Sequence, residues 1–123
     1  MSCIPSGPIE VPVGGDAEFT FQLTNNGSPI DITNDIVTLY VSVSKDKPNL
    51  LTKSTAVPAQ GIKVDPTVGK VKFIFTPDDT DVGAGGLKAR AYVYDIWRET
   101  LDGKFRRMCA PSPFTVSAGV GRD

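Results

Sequence analysis

From Asp16 to Leu23 the chain alternates strictly: Ala17, Phe19, Phe21 and Leu23 are apolar, and Glu18, Thr20 and Gln22 between them are polar. Successive side chains of an extended strand point to opposite faces, so a period of two writes one buried and one wet face. A helix would instead repeat its apolar stripe near every 3.6 residues. The period returns from Ile36 to Ser44, where Val37, Leu39, Val41 and Val43 share a face opposite Thr38, Tyr40 and Ser42. It returns again after Gly69, where Val71, Phe73 and Phe75 alternate with Lys70, Lys72, Ile74 and Thr76.

Turn formers stand between these runs. Asn25-Asn26-Gly27-Ser28-Pro29 reads as a turn, because Asn and Gly accept the left-handed backbone conformation, and Lys45 to Asn49 reads as a polar loop. A short Ile30 to Thr33 piece follows the turn, and Leu50 to Ser54 and Gln60 to Val64 are short edge-strand candidates. Pro58 and Pro66 keep nearby positions out of a sheet centre, since proline cannot donate to the ladder. Thr76-Pro77-Asp78-Asp79-Thr80 predicts one helical turn, with Thr76 as cap and Pro77 at the first helical position, stopped by Gly83 to Gly86.

Leu87 to Trp97 is the longest strand candidate, and its facing is open. Leu87, Ala89, Ala91 and Val93 make one core row, and Tyr92, Tyr94 and Ile96 make another. Asp102-Gly103 is a strong hairpin signal, with Phe105 to Met108 as the returning strand. Pro111 and Pro113 are expected to interrupt it, leaving Phe114 to Val116 to finish the sheet edge. Side-chain shape agrees with this reading: Val, Ile and Thr total 32 residues against 14 for Leu and Ala, and β-branched side chains suit a pleated surface. Seven or so short strands and no convincing helix predict an all-β, antiparallel β-sandwich.

Function classes fall away on composition. No histidine is present, which removes the usual general base at neutral pH and the commonest metal ligand. No serine–base pair or Walker-type phosphate loop can be assembled, so catalysis is not expected and no cofactor is called for. Thirteen basic against fourteen acidic residues, a formal charge of −1, argues against nucleic-acid binding by bulk electrostatics. No apolar run approaches membrane-spanning length. Met1 to Pro8 lacks the basic and apolar regions of a secretory signal, which leads to an expectation of cytoplasmic synthesis. Cys3 and Cys109 are then expected to be two free thiols.

Several motifs in order resemble a known family. Ile9-Glu10-Val11-Pro12-Val13 is followed by Gly15-Asp16 and an aromatic alternating strand; Asn26-Gly27-Ser28-Pro29-Ile30-Asp31-Ile32-Thr33 follows; then comes Gly69-Lys70-Val71-Lys72-Phe73 through Pro77-Asp78-Asp79-Thr80; and last Gly86-Leu87 with Tyr92-Val93-Tyr94-Asp95-Ile96 and Asp102-Gly103. The series is similar to the immunoglobulin-like domains of tailed-bacteriophage structural proteins, as in the N-terminal domain of baseplate upper proteins. It departs from that pattern at Leu87-Lys88-Ala89-Arg90-Ala91, which displaces the usual aromatic after the glycine. The resemblance implies an immunoglobulin-like sandwich over residues 9–116, with an N-terminal extension at 1–8 and a C-terminal tail at 117–123. It also implies a non-enzymatic virion protein whose partners are other virion proteins and copies of itself.

Candidate sites follow from charge and aromatic content. Lys88, Arg90, Arg98, Lys104, Arg106 and Arg107 bias the last third toward positive charge; they read either as cross-strand surface pairs or as a docking face for an acidic neighbour. Trp97 reads as strand-end packing or as an interface anchor. Asp78, Asp79 and Asp81 read as helix capping in a solvated loop, or as hard oxygens for a cation although the longer calcium-loop pattern is missing. The chain's edges, its Pro-rich termini and the 85–107 segment are the expected docking elements. The alternative is a free-standing bacterial immunoglobulin-like module binding protein or carbohydrate, with Tyr40, Tyr92, Tyr94 and Trp97 as its aromatic patch.

Overall fold

The alternating segments are strands in the computed structural model, which describes residues 2–4, 7–44 and 46–118. In chain order they are β1 (Ser2–Ile4), β2 (Ile9–Pro12), β3 (Ala17–Asn25), β4 (Ser28–Pro29), β5 (Ile36–Ser42), β6 (Asn49–Ser54), β7 (Gly61–Asp65), β8 (Lys70–Phe75), β9 (Arg90–Glu99) and β10 (Phe105–Ser117). Seven of these ten are five residues or longer. One sheet runs β1-β3-β8-β7 with β4 also on β3; the other runs β2-β10-β9-β5-β6. The two face each other as a β-sandwich. One pair departs from the antiparallel expectation, because β2 lies parallel to β10.

The core is the inward row of each strand. Phe21, Leu23, Val71, Phe73 and Phe75 come from the first sheet; Val37, Leu39, Val41, Tyr94, Ile96, Phe114 and Val116 come from the second. Aromatic rings link the layers: Phe21 lies 6.1 Å from Tyr94, and Phe75 lies 5.5 Å from Phe114, centroid to centroid. Contacts of this kind add to the area each ring removes from water.

Strand β9 resolves its two possible rows in favour of the tyrosines. Tyr92, Tyr94 and Ile96 are buried, while Ala89 and Ala91 are exposed and Val93 is half-buried. The reason is both register and chemistry. Ile96 sits opposite Leu39 and Tyr94 opposite Val41, both core residues. Both phenols find acceptors, as Tyr94 donates to the Gly7 carbonyl at 2.7 Å and Tyr92 to the Lys88 carbonyl at 2.9 Å. Buried tyrosine needs such a partner.

Three other expectations change. Strand β10 runs through Pro111 and Pro113 because register shifts between Arg107 and Cys109, and between Cys109 and Ser112, absorb them; bulges are where proline is tolerated in a sheet. Nor does β10 end the sheet, since β2 lies beyond it. The region expected as an N-terminal extension supplies β1, and residues 119–123 of the expected tail lie outside the described residues.

The third is the cysteines, which form a disulfide and not two free thiols. β1 sits on the rim of the first sheet and β10 in the second, and their packing brings the two Cα atoms to 5.5 Å although 106 residues separate them. That spacing is within ordinary bridging range. Chain distance concealed the pair; sheet order makes it.

The expected helical turn is present as a 3₁₀ turn at Pro77–Thr80. The chain then returns tightly enough to demand Gly86, where any Cβ would collide with the backbone of Asp78 and Asp79. That return places Leu87 in the core and starts β9 on the correct side of the sandwich.

Candidate functional site

The β9–β10 hairpin is closed by its own turn chemistry. Thr100 and Lys104 pair through backbone at 2.9 Å, Gly103 adopts φ +85, and the Thr100 hydroxyl bonds the Asp102 carboxylate. This fixed turn presents side chains that the core cannot take. Leu101 is 81% exposed, Phe105 61% and, across the sheet on β5, Ile36 38%.

Register sets what surrounds them. Because Ile96 and Leu39 point inward, Asp95, Trp97 and Glu99 of β9 and Ile36, Thr38 and Tyr40 of β5 belong to the outer face. Ile36, Glu99 and Phe105 form one cross-strand row, and Thr38, Trp97 and Arg107 form the next. Trp97 is half-buried within that face. Arg107 on this face is exposed, as is Arg106, whose register opposite Arg98 gives it the other parity, and among the described residues neither has an ion-pair partner. Lys104 lies 3.7 Å from Asp102, both in solvent. The outer face therefore combines exposed apolar area with uncommitted guanidinium charge.

Arg98 has a different role. It shares the inward parity of Ile96 but sits at the end of the sandwich, where its Nε meets Asp35 Oδ2 at 2.5 Å. Asp35 is only 8% exposed there and Arg98 18%, so the pair seals the core. Asp31, Asn34, Asp35, Arg98, Thr100, Leu101 and Asp102 line an open cleft of about 630 Å³ beside it. Hydrogen bonds, first from the Thr33 hydroxyl and then from its amide, hold the Asp31 carboxyl below its ordinary value. The Thr100 hydroxyl does the same for Asp102. Both are charged at neutral pH and are weak bases.

The structure gathers five of the seven residues singled out by charge and aromaticity. Trp97, Arg98, Lys104, Arg106 and Arg107 cluster at the hairpin; Arg90 sits at the other end of β9, about 26 Å from Arg98 at the rise of an extended strand, and Lys88 precedes that strand. Arg90 lies over the Tyr92 ring at 5.5 Å. The aromatic patch does not assemble, because Tyr92 and Tyr94 are inside, leaving Tyr40 and Trp97 on the outer face. The acidic cluster is engaged locally: Asp79 accepts from the Thr76 amide at 2.8 Å and Asp81 from Gly83 at 2.9 Å.

Sequence reasoning missed two lysines. Lys53 is buried, its Nζ 2.7 Å from Asp79 and 5.4 Å from the centre of the Phe75 ring, which ties the β6 edge to the turn after β8. Its signal was parity, since Lys53 falls on the inward row of β6 with half-buried Leu51. Lys63 donates to the carbonyls of Ile32, Thr33 and Asp35 at 3.3, 2.8 and 3.0 Å and so holds the loop that lines the cleft. Nothing local to Lys63 announces that role.

No family model matches the chain, and no curated protein sequence matches it. Among solved structures it is similar to CopC from Methylosinus trichosporium OB3b, with a TM-score of 0.48 at 10% identity over 96% of this chain and 91% of that one. It is also similar to murine CRIg, with a TM-score of 0.43 at 10% identity over 91% and 92% respectively. Both are likenesses of chain path.

Proposed function

We propose that this chain is a non-enzymatic structural subunit of a tailed-bacteriophage virion, and that it works by docking the outer face of its hairpin onto neighbouring virion proteins. One observation carries the docking reading: Phe105 and Leu101 stand in solvent at the hairpin, with half-buried Trp97 and the unpaired Arg107 on the same face as Phe105. Aromatic and arginine side chains are enriched among the few residues that supply most binding energy. Unpaired positive charge favours an acidic partner and speeds its approach. The order of motifs across residues 9–116 supports the virion assignment.

The test is composition and then competition. Mass spectrometry of purified particles should find this chain, and soluble wild-type chain should bind particles depleted of it. Phe105→Ala and Arg107→Glu should each weaken that binding at least tenfold, a hot-spot-sized effect of about 1.4 kcal/mol or more, while leaving the fold intact. Absence of the chain from the particle removes the proposal.

The buried disulfide favours a second reading, because such bonds persist in oxidising surroundings. In that reading the chain is a free-standing immunoglobulin-like module that binds protein through the same face. It would then be recovered as a monomer outside any particle.

A further inference from the structure

Strand β1 is fastened in an unusual way. It has three residues and, among the described residues, pairs with β3 alone, Ser2 opposite Thr24, Cys3 opposite Leu23 and Ile4 opposite Gln22. Ile4 is 56% exposed, whereas Cys3 is buried against Cys109. Its hold on the core therefore runs through one sulfur. Just beyond it the Gly7 carbonyl is pinned by Tyr94, which anchors the approach to β2 independently of β1.

We infer that the Cys3–Cys109 pair is a redox fastener for β1: opened, it frees β1 from the β3 edge at Gln22–Thr24, and on reoxidation β1 from a second copy of this chain can be fastened there instead. Without the bond, three backbone-paired residues with one buried thiol cannot offset the entropy of ordering them. Their departure uncovers an unpaired edge, the kind of surface that recruits another strand. A second copy's β1 fits because it brings the same register and the same small side chain to face Cys109, as in any exchange of identical elements. Reach limits the partner: the four steps from Gly7 to Cys3 span about 13 Å fully extended, so only closely packed copies exchange. Closing the bond passes two electrons and two protons from the thiols to a small-molecule disulfide such as oxidised glutathione, which leaves as two thiols. Across copies, the product is Cys3 of one chain joined to Cys109 of the next. This involves the rim of the first sheet and stands apart from the hairpin face.

The experiment uses the wild-type chain. Heavy-nitrogen-labelled and unlabelled protein are mixed, reduced, reoxidised together with oxidised glutathione at increasing protein concentration, and digested without reductant. Mass spectrometry of the peptides linked through Cys3 and Cys109 should find heavy peptides joined to light ones, absent from a mixture never reduced and increasing with concentration. Only like-labelled pairs at every concentration would overturn the inference. Hydrogen exchange supplies the second readout: reduction should abolish amide protection in the β1–β3 pairing while the β3–β8 pairing keeps its own. Protection retained at β1 after reduction overturns it equally.

Discussion

The inner and outer faces of the β9–β10 hairpin are made from alternate residues of one stretch, yet they end in opposite conditions. On the inner face Tyr92, Tyr94, Ile96 and Phe114 are buried and their polar atoms are matched; among the described residues no buried side-chain nitrogen or oxygen lacks a partner. On the outer face Phe105 is mostly in water and Arg107 has no counter-ion among the described residues. A face that satisfies itself contributes stability, and one that leaves area and charge unused is available for binding. The two faces should therefore respond to substitution in opposite ways.

The largest effect is expected at Phe114. Phe114→Ala empties a site between the Phe75 and Tyr94 rings and should lower unfolding free energy by about 3–5 kcal/mol in a denaturant titration. Phe105→Ala in the same assay should stay within about 0.5 kcal/mol. Equal losses at the two phenylalanines would erase the contrast.

Next come the arginines. Arg98→Met strands Asp35 as a nearly buried charge and should cost about 3 kcal/mol, the low end for broken buried pairs because the guanidinium itself is partly exposed. Arg107→Met should leave stability unchanged within about 0.5 kcal/mol and should reduce docking only. A smaller step is Tyr94→Phe, which removes the hydroxyl that serves the Gly7 carbonyl and should cost about 1 kcal/mol, with faster hydrogen exchange around the start of β2.

Smallest are the pH effects. Burial raises the Tyr94 phenol above its ordinary 10.0, against a weaker opposing hydrogen bond from Ser112. The unfolded chain then ionises first, so the stability linked to Tyr94 is complete below pH 10.0 and is lost as pH rises through the folded value. Alkaline unfolding should begin earlier in wild type than in Tyr94→Phe once each is referred to its neutral-pH stability. Asp31 works in the other direction. Its lowered carboxyl contributes above the ordinary 3.8 and loses that contribution as pH falls through the folded value, and Thr33→Ala should flatten this acid limb.

Much of the candidate site was legible because charge and aromatic side chains cluster in the chain around Asp102-Gly103, and a two-stranded hairpin keeps sequence neighbours together in space. Trp97, Arg106 and Arg107 stay close for that reason. Arg90 lies apart from them, since an extended strand carries residues eight apart about 26 Å from one another, and Lys88 lies before that strand begins. Arg98 read as surface charge although its parity matched Ile96. Its partner Asp35 lies 63 positions away, outside any window that local pattern can see.

By itself the chain's alternation determined that residues 17–25, 36–42 and 70–75 are strands, and its Asn-Gly and Asp-Gly steps determined where they turn, Asn26 and Gly103 both taking positive φ. These are properties of neighbours along the backbone, where steric preference acts. Tertiary structure alone decided that β9 buries its tyrosines, that Lys53 lies inside against Asp79, and that Cys3 meets Cys109. Such choices depend on which strand lies beside which and in what register. That is set by the free energy of the two sheets closing together, which no single segment contains.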